Sequence, residues 1–133
     1  MIKCIAIRLT VTGICEEWTR LVALGKDGRI YEWGDLDGLP TVPEILLGDL
    51  ADKKVVQIAC GQSHSLCLTS EGQVYSWGAN GQGQLGLGQG TRDQKEPMLV
   101  SGFDVKIKAI DCAAHNSFAV DVNGGVSFLH FCI

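Results

Sequence analysis

Between residues 55 and 78 apolar positions alternate with small or polar ones, stop at a glycine, and begin again. Val55-Val56-Gln57-Ile58-Ala59-Cys60 ends at Gly61, Ser63-His64-Ser65-Leu66-Cys67-Leu68 is followed by Ser70-Glu71-Gly72, and Val74-Tyr75-Ser76-Trp77 ends at Gly78. A side-chain period of two over runs this short is that of a strand with one face on a core, here the face of Leu66 and Leu68. Glu71-Gly72 supplies the positive φ that a tight hairpin turn needs. Val74, Tyr75 and Trp77 are strand formers that place a large ring near the end of the third run. A fourth short strand is expected at Met98-Leu99-Val100, after Pro97.

The same order occurs three times. Val55–Gly61 recurs at Ile107-Lys108-Ala109-Ile110-Asp111-Cys112-Ala113, a shift of 52, and more faintly at Ile7-Arg8-Leu9-Thr10-Val11-Thr12-Gly13, a shift of 48. The hairpin of residues 63–78 matches Thr19–Leu24, Asp27-Gly28 and Arg29-Ile30-Tyr31-Glu32-Trp33-Gly34 at a shift of 44. It matches Asn116–Val120, Asn123-Gly124 and Gly125-Val126 at a shift of 52. Glu44-Ile45-Leu46 after Pro43 repeats the expected fourth strand. A unit of about four strands and roughly 50 residues cannot bury both of its faces alone, and such units stack radially as propeller blades. The expected fold is all-β: a partial β-propeller of about two and a half four-stranded blades with glycine-rich turns.

Composition agrees and removes other classes. The 133 residues are 46% hydrophobic and 20% charged, with 17 glycines and three prolines, which sets aside disorder, coiled coil and an all-helical bundle. Net charge is −4 and the longest basic cluster is Lys53-Lys54, so no basic stripe suits direct nucleic-acid binding or an anionic membrane. Arg8 interrupts the apolar start, no apolar run reaches 18 residues, and no Asn-x-Ser/Thr sequon is present. These features predict an intracellular chain, cytoplasmic or nuclear, with no membrane partner. Six cysteines, at 4, 15, 60, 67, 112 and 132, include no C-x-x-C, and only His130 and Cys132 stand at close spacing. They are read as free thiols that pack as small hydrophobes, with no metal site.

Trp33-Gly34 and Trp77-Gly78 exclude the Trp-Asp pair of WD repeats, and a double glycine occurs only at Gly124-Gly125, against kelch repeats. The second unit, with Asn80-Gly81-Gln82-Gly83-Gln84-Leu85-Gly86 after Trp77-Gly78, closely resembles the repeat of the regulator of chromosome condensation family. On this reading residues 5–54 are a degenerate repeat that has lost the Gly-Gln-Leu-Gly loop, 55–106 a well-formed one, and 107–133 a truncated one. The resemblance implies a seven-bladed propeller in complete members. It also implies service as a nucleotide exchange factor for the small GTPase Ran, or as an interaction module in ubiquitin ligases, kinases and ciliary proteins. Val126-Ser127-Phe128-Leu129-His130-Phe131-Cys132-Ile133 departs from the pattern of Val74–Gly78, and the reading expects a truncated, spliced or fragmentary product. An apolar strand edge would then be left open to self-association.

Gly81-Gln82-Gly83-Gln84-Leu85-Gly86 fits the dinucleotide fingerprint G-x-G-x-x-G, but Leu87-Gly88-Gln89-Gly90 follows where a phosphate-binding helix should start. It is read as a structural turn, and no cofactor is assigned. Ser63, His64 and Ser65 with Asp104 or Asp111 form no hydrolase, since no nucleophile elbow is present. His64 is expected to hydrogen-bond a neighbouring turn or blade. The resemblance offers a second role: loops of the Gly-x-x-His type contact the GTPase in the exchange factor, although Ser63 here takes the acidic place and the third unit reads Ala113-Ala114-His115. Trp33 and Trp77 are assigned to blade packing. Trp18 is read as a surface ring or as cover over a blade edge.

The candidate partner contacts are therefore Ser63, His64, His115, Arg92 and Asp93, the last two from the polar stretch Gln89–Glu96. No residue is assigned a catalytic role. The expected function is a protein-interaction or regulatory module with a protein partner. Its alternatives are exchange on a Ran-like small GTPase and a substrate-binding segment of a HECT-type ubiquitin ligase whose catalytic domain is absent.

Overall fold

The computed structural model describes residues 11–17, 20–34 and 41–129. Among the described residues eleven strands form three antiparallel sheets. The first holds β1 (Val11–Glu17), β2 (Arg20–Gly25), β3 (Ile30–Gly34) and β4 (Glu44–Leu46). The second holds β5 (Val55–Cys60), β6 (His64–Thr69), β7 (Val74–Gly78) and β8 (Gln94–Leu99), and the third β9 (Ile107–Ala113), β10 (Asn116–Asp121) and β11 (Val126–Leu129). Each sheet is a meander in chain order, β1 lies against β5 and β5 against β9, and the sheets stack as blades of a partial propeller.

Strand register shows how closely the units repeat. Val11 pairs with Gly25 and Gly13 with Leu24; Val55 pairs with Thr69 and Gln57 with Leu68; Ile107 pairs with Asp121 and Ala109 with Val120. Thr12, Val56 and Lys108 are thus the extra residue of the same β-bulge in all three sheets, and a bulge sharpens local twist. The bulge corrects one expectation. The first strand pairs at a shift of 44 from β5, as the rest of its unit does, and not 48; its described part starts at Val11, and residues 7–10 lie outside those described. The fourth strand of the second unit starts at Gln94, ahead of Pro97. Pro97 sits where the β7–β8 register is irregular, on an edge strand that asks no N–H of it.

The alternation in β6 has a different cause from the one its sequence suggests. All six residues of the strand are buried, on both faces. Leu66, Leu68 and Val74 pack against Ile107, Ile110, Ala119 and Leu129 of the third sheet. Cys67, Tyr75 and Trp77 pack on the other side against Val22, Leu24 and Ile30 of the first. Ser65 and Cys67 are small because a neighbouring blade lies over them, not because water does. The outward trio recurs by repeat offset: Val22, Leu24 and Ile30 face the second sheet as Leu66, Leu68 and Val74 face the third. Fully burying each such side chain is worth about 2 kcal/mol.

Successive blades are also joined through backbone. The N–H of Val55 donates to the Gly28 carbonyl (2.9 Å), and Ile107 repeats this with Gly72 (3.0 Å). Within the later blade the same entry is held to the end of its own second strand, Ser70 N–H donating to Lys54 O (2.8 Å) and Val122 N–H to Lys106 O (3.0 Å). The entry of each blade therefore lies on the hairpin turn of the one before. At Gly72, φ is +82° and a Cβ would stand 2.6 Å from Lys106 Cβ and 3.2 Å from its Cα. The turn thus needs glycine for its own conformation and for the chain that crosses it. Gly90 has a similar φ of +78° in open space. Gly72→Ala should cost about 2–3 kcal/mol and Gly90→Ala about 1 kcal/mol in urea unfolding, the difference measuring the blade junction.

Candidate functional site

One end of the stack carries the β5–β6 connection, the β9–β10 turn and the long β7–β8 loop. Gln62 N–H donates to the Ala114 carbonyl (2.8 Å), which joins the first two, and Ala79 N–H donates to Ser63 O (2.9 Å), which joins the third. Asn80 organises that long loop from a buried position. Its side-chain oxygen accepts from Leu85 N–H (3.0 Å), its amide donates to Thr91 O (2.8 Å), and its own N–H meets the Asp93 carboxylate (2.8 Å). No helix starts at Gly81–Gly86; the segment is a turn, with Leu85 fully buried. Ser63, Arg92, Asp93 and His115 are all exposed at this end, and Arg92 and Asp93 line a shallow depression with Asn80, Gly81 and Thr91.

Beneath these loops lies a buried chain of hydrogen bonds. His64 is wholly inaccessible, and its Nε2 stands 2.7 Å from the Ser117 hydroxyl, which donates to the Gln84 carbonyl at 2.7 Å. Ser117 has one proton and gives it to Gln84, so His64 Nε2 carries the ring proton and donates it. Three elements meet there: β6 of the second blade, β10 of the third and the β7–β8 loop. Gly61 makes room for the ring, since a Cβ on it would overlap His64 Cε1 and lie 2.6 Å from the Ala114 carbonyl.

The preceding junction repeats this arrangement with other side chains. Arg20, at the place of His64, donates through Nη2 to Ser65 (2.8 Å), at the place of Ser117. Arg20 Nη1 also lies 3.7 Å from Glu32, whose carboxylate accepts the buried Trp77 indole N–H at 2.9 Å. The first residue of the second strand thus reaches a serine of the next blade at both junctions. A second bridge is specific to the later one: the Gln57 amide pairs with both backbone groups of Ile110, at 2.9 and 3.1 Å.

Burial, reinforced by the positive charge of Arg20 and by His115, pushes the His64 imidazole down to about 4, so it is neutral near pH 7. Burial pushes the Cys67 thiol up to about 12, leaving it protonated and packed between blades. No group of three His, Cys, Asp or Glu side chains suited to a metal occurs among the described residues. No helix among them is long and apolar enough to cross a membrane.

Of the five expected contact residues, the structure brings Ser63, Arg92, Asp93 and His115 to one surface and sets His64 underneath as their support. Asp93 also holds the loop through Asn80. Trp77 is buried between blades and Trp33 half-buried; Trp18, His130 and Cys132 lie outside the described residues. Ser117, Gln84, Asn80, Arg20 and Glu32 were not singled out by the sequence. Ser65 and Ser117 do share a repeat position, which is the one signal that marks the latch.

The family model for the regulator of chromosome condensation (RCC1) repeat matches residues 71–120, and a second model of the same description matches 55–84. Residues 55–120 are built from regulator of chromosome condensation repeats. Among curated relatives of these repeats, human E3 ubiquitin-protein ligase HERC2 is 37% identical over 121 residues, covering 79% of this chain and 2% of HERC2. The RCC2 homolog of Xenopus laevis is 30% identical over 130 residues, covering 92% of this chain and 25% of the relative. The chain therefore spans at most a quarter of the length of either. Prp20p of Saccharomyces cerevisiae superposes with a TM-score of 0.76 at 26% identity, over 91% of this chain and 33% of Prp20p. Human WBSCR16 superposes with a TM-score of 0.83 at 19% identity, over 93% and 34% of the two chains, and supports the fold alone.

His64 gives this repeat a pH signature. The unfolded imidazole titrates near its ordinary value of about 6.5, and the folded one refuses the proton until about 4. The stabilisation is complete above pH 6.5 and is lost as pH falls toward 4, by on the order of 2–3 kcal/mol. His64→Gln should be less stable at pH 7 and should flatten the stability-versus-pH curve across that window. A double-mutant cycle of His64→Ala with Ser117→Ala should return a coupling of about 1–2 kcal/mol in urea unfolding.

Proposed function

We propose that this chain is a regulatory protein-interaction module whose binding surface is the loop end, with Ser63, Arg92 and His115 as contacts. The observation that carries the reading is the pairing of exposed polar side chains with a buried hydrogen-bond chain that fixes the loops bearing them. Pre-ordered loops lose little freedom on binding, so affinity comes from shape and charge complementarity. His64 contributes as a positioning residue and Asp93 as a brace for Asn80. Surface recognition of this kind needs no catalytic group. The Cys67 thiol, buried between blades and protonated, packs as a small hydrophobe and suits a reducing, intracellular setting.

The partner class with the best support is a small GTPase. Prp20p is described with binding properties toward Gsp1p and histones, and this chain shares 26% identity with it. Binding and nucleotide exchange separate here, because exchange requires a broad face that holds the GTPase without its nucleotide, and the chain spans 33% of Prp20p. A Ran-like GTPase loaded with fluorescent nucleotide tests both points. The expected result is measurable binding by the wild-type chain with an unchanged nucleotide release rate. Arg92→Glu with His115→Glu should weaken binding about tenfold or more and leave the thermal midpoint in place. Equal binding by this variant would remove the loop end as the surface, and accelerated release would replace the interaction reading with exchange.

A further inference from the structure

The chain contains two Asn-Gly pairs, Asn80-Gly81 and Asn123-Gly124. Such a pair carries its own electrophile and nucleophile, the side-chain amide carbon and the backbone nitrogen that follows it, and glycine has no side chain to crowd their approach. The two pairs are held differently. At Asn123-Gly124 the nucleophile is occupied, because Gly124 N–H donates to the Asp121 carbonyl (3.0 Å). At Asn80-Gly81 it is the electrophile that is held. Asn80 is buried, with its side-chain oxygen on Leu85 N–H, its amide on Thr91 O and its own N–H on the Asp93 carboxylate. Gly81 is exposed in the shallow depression beside Thr91, Arg92 and Asp93, and its N–H donates to no group among the described residues. One reactive group thus meets solvent while the other is locked away from it.

We infer that Asn80 is a deamidation site gated by its own loop, closed while its three hydrogen bonds hold and reactive once the β7–β8 loop opens. Water is the base and the co-reactant. Gly81 N gives its proton to solvent and attacks Asn80 Cγ, the Cγ–Nδ2 bond breaks, and the nitrogen leaves as ammonia, so that a cyclic succinimide remains. Water then opens the ring to aspartate or isoaspartate at position 80, and no atom is oxidised or reduced. The product does not fit the lock. A carboxylate has no proton for Thr91 O, so acceptor would face acceptor across the 2.8 Å that the amide now bridges, in a place closed to water. It also sets a second negative charge near Asp93. The change therefore runs one way: a loop that has opened and reacted does not close as before, and Thr91 and Asp93 lose the partner that holds them together.

Incubation at mildly alkaline pH, folded and in urea, with conversion at position 80 followed by peptide mass spectrometry, tests the inference. The folded chain should convert about tenfold or more slowly than the unfolded one, the ratio reporting how rarely the loop opens. Asp93→Ala removes the acceptor of Asn80 N–H and should raise the folded rate severalfold while leaving the rate in urea unchanged. Gly81→Ala acts in the opposite sense. Nothing lies within 4 Å of the Gly81 Cβ position, so the fold accepts the methyl group and the thermal midpoint should stay in place, whereas conversion in urea should fall because the attacking nitrogen is crowded. In Asn80→Asp, which carries the product side chain, the amides of residues 80–86 should exchange about tenfold or more faster than in the wild type, with those of β6 unchanged. Equal conversion folded and in urea overturns the inference. So does an Asp93→Ala chain, folded by circular dichroism, that converts no faster than the wild type, and so does an Asn80→Asp loop as protected as the original. Every readout is of the loop itself, so none depends on which partner it meets.

Discussion

Every sheet of this protein is one layer of antiparallel strands, and such a layer has two faces to cover. The middle sheet is the constraint on which the rest depends. Leu66, Leu68 and Val74 need the third sheet, Cys67, Tyr75 and Trp77 need the first, and no residue of β6 remains in contact with water. Hydrophobic burial sets the stacking distance but is not directional. Direction comes from polar contacts that recur with the repeat: a bulge that twists each inner strand at one place, a backbone bond from each blade entry to the preceding hairpin glycine, and a side chain that reaches a serine in the next blade.

The latch solves one problem with unlike chemistry. At the first junction it is the Arg20 guanidinium, balanced by Glu32 and by the Trp77 indole; at the second it is a neutral imidazole sharing one hydroxyl with a loop carbonyl. A buried cation must be paired, and Glu32 does that for Arg20. A histidine avoids the requirement by giving up its proton, which is why its binding of protons is suppressed by burial. The loop end is therefore held for reasons that lie largely below it, at the level of His64 and Ser117, and its exposed side chains other than Asp93, which braces Asn80, can vary in chemistry without disturbing the blades.

Much of this was legible in the sequence where a local period carried the information. Alternation located β2, β3, β5, β6, β7, β9 and β10, and the glycine after each acidic or polar residue located the hairpins. Ile7–Gly13 alternates as well as Val11–Glu17 does, so the first unit was aligned at a shift of 48 where the strand register gives 44; the choice is made by a register that includes a bulge, which has no local signature beyond one extra residue. The burial of both faces of β6 was missed because Ser65 and Cys67 resemble solvent-facing positions until another blade is laid over them. The loop end was partly legible, through polar loop residues at equivalent repeat positions. Its support was not, because His64 and Ser117 are 53 residues apart and Asn80 resembles any asparagine in a turn.

Nearest-neighbour stacking also shapes how the molecule opens. When each sheet touches only the sheets beside it, stability is close to a sum of the terms of each unit and of its junctions, and the units need not unfold together. The second sheet shares two junctions and the others one each among those described. Backbone amides of β6 and β7 should consequently be the last to exchange with solvent, and those of β4 and β11, at the rims of their sheets, among the first. Protection would fall away from the centre in both directions along the chain, a gradient set by position in the stack more than by the apolar content of any one strand.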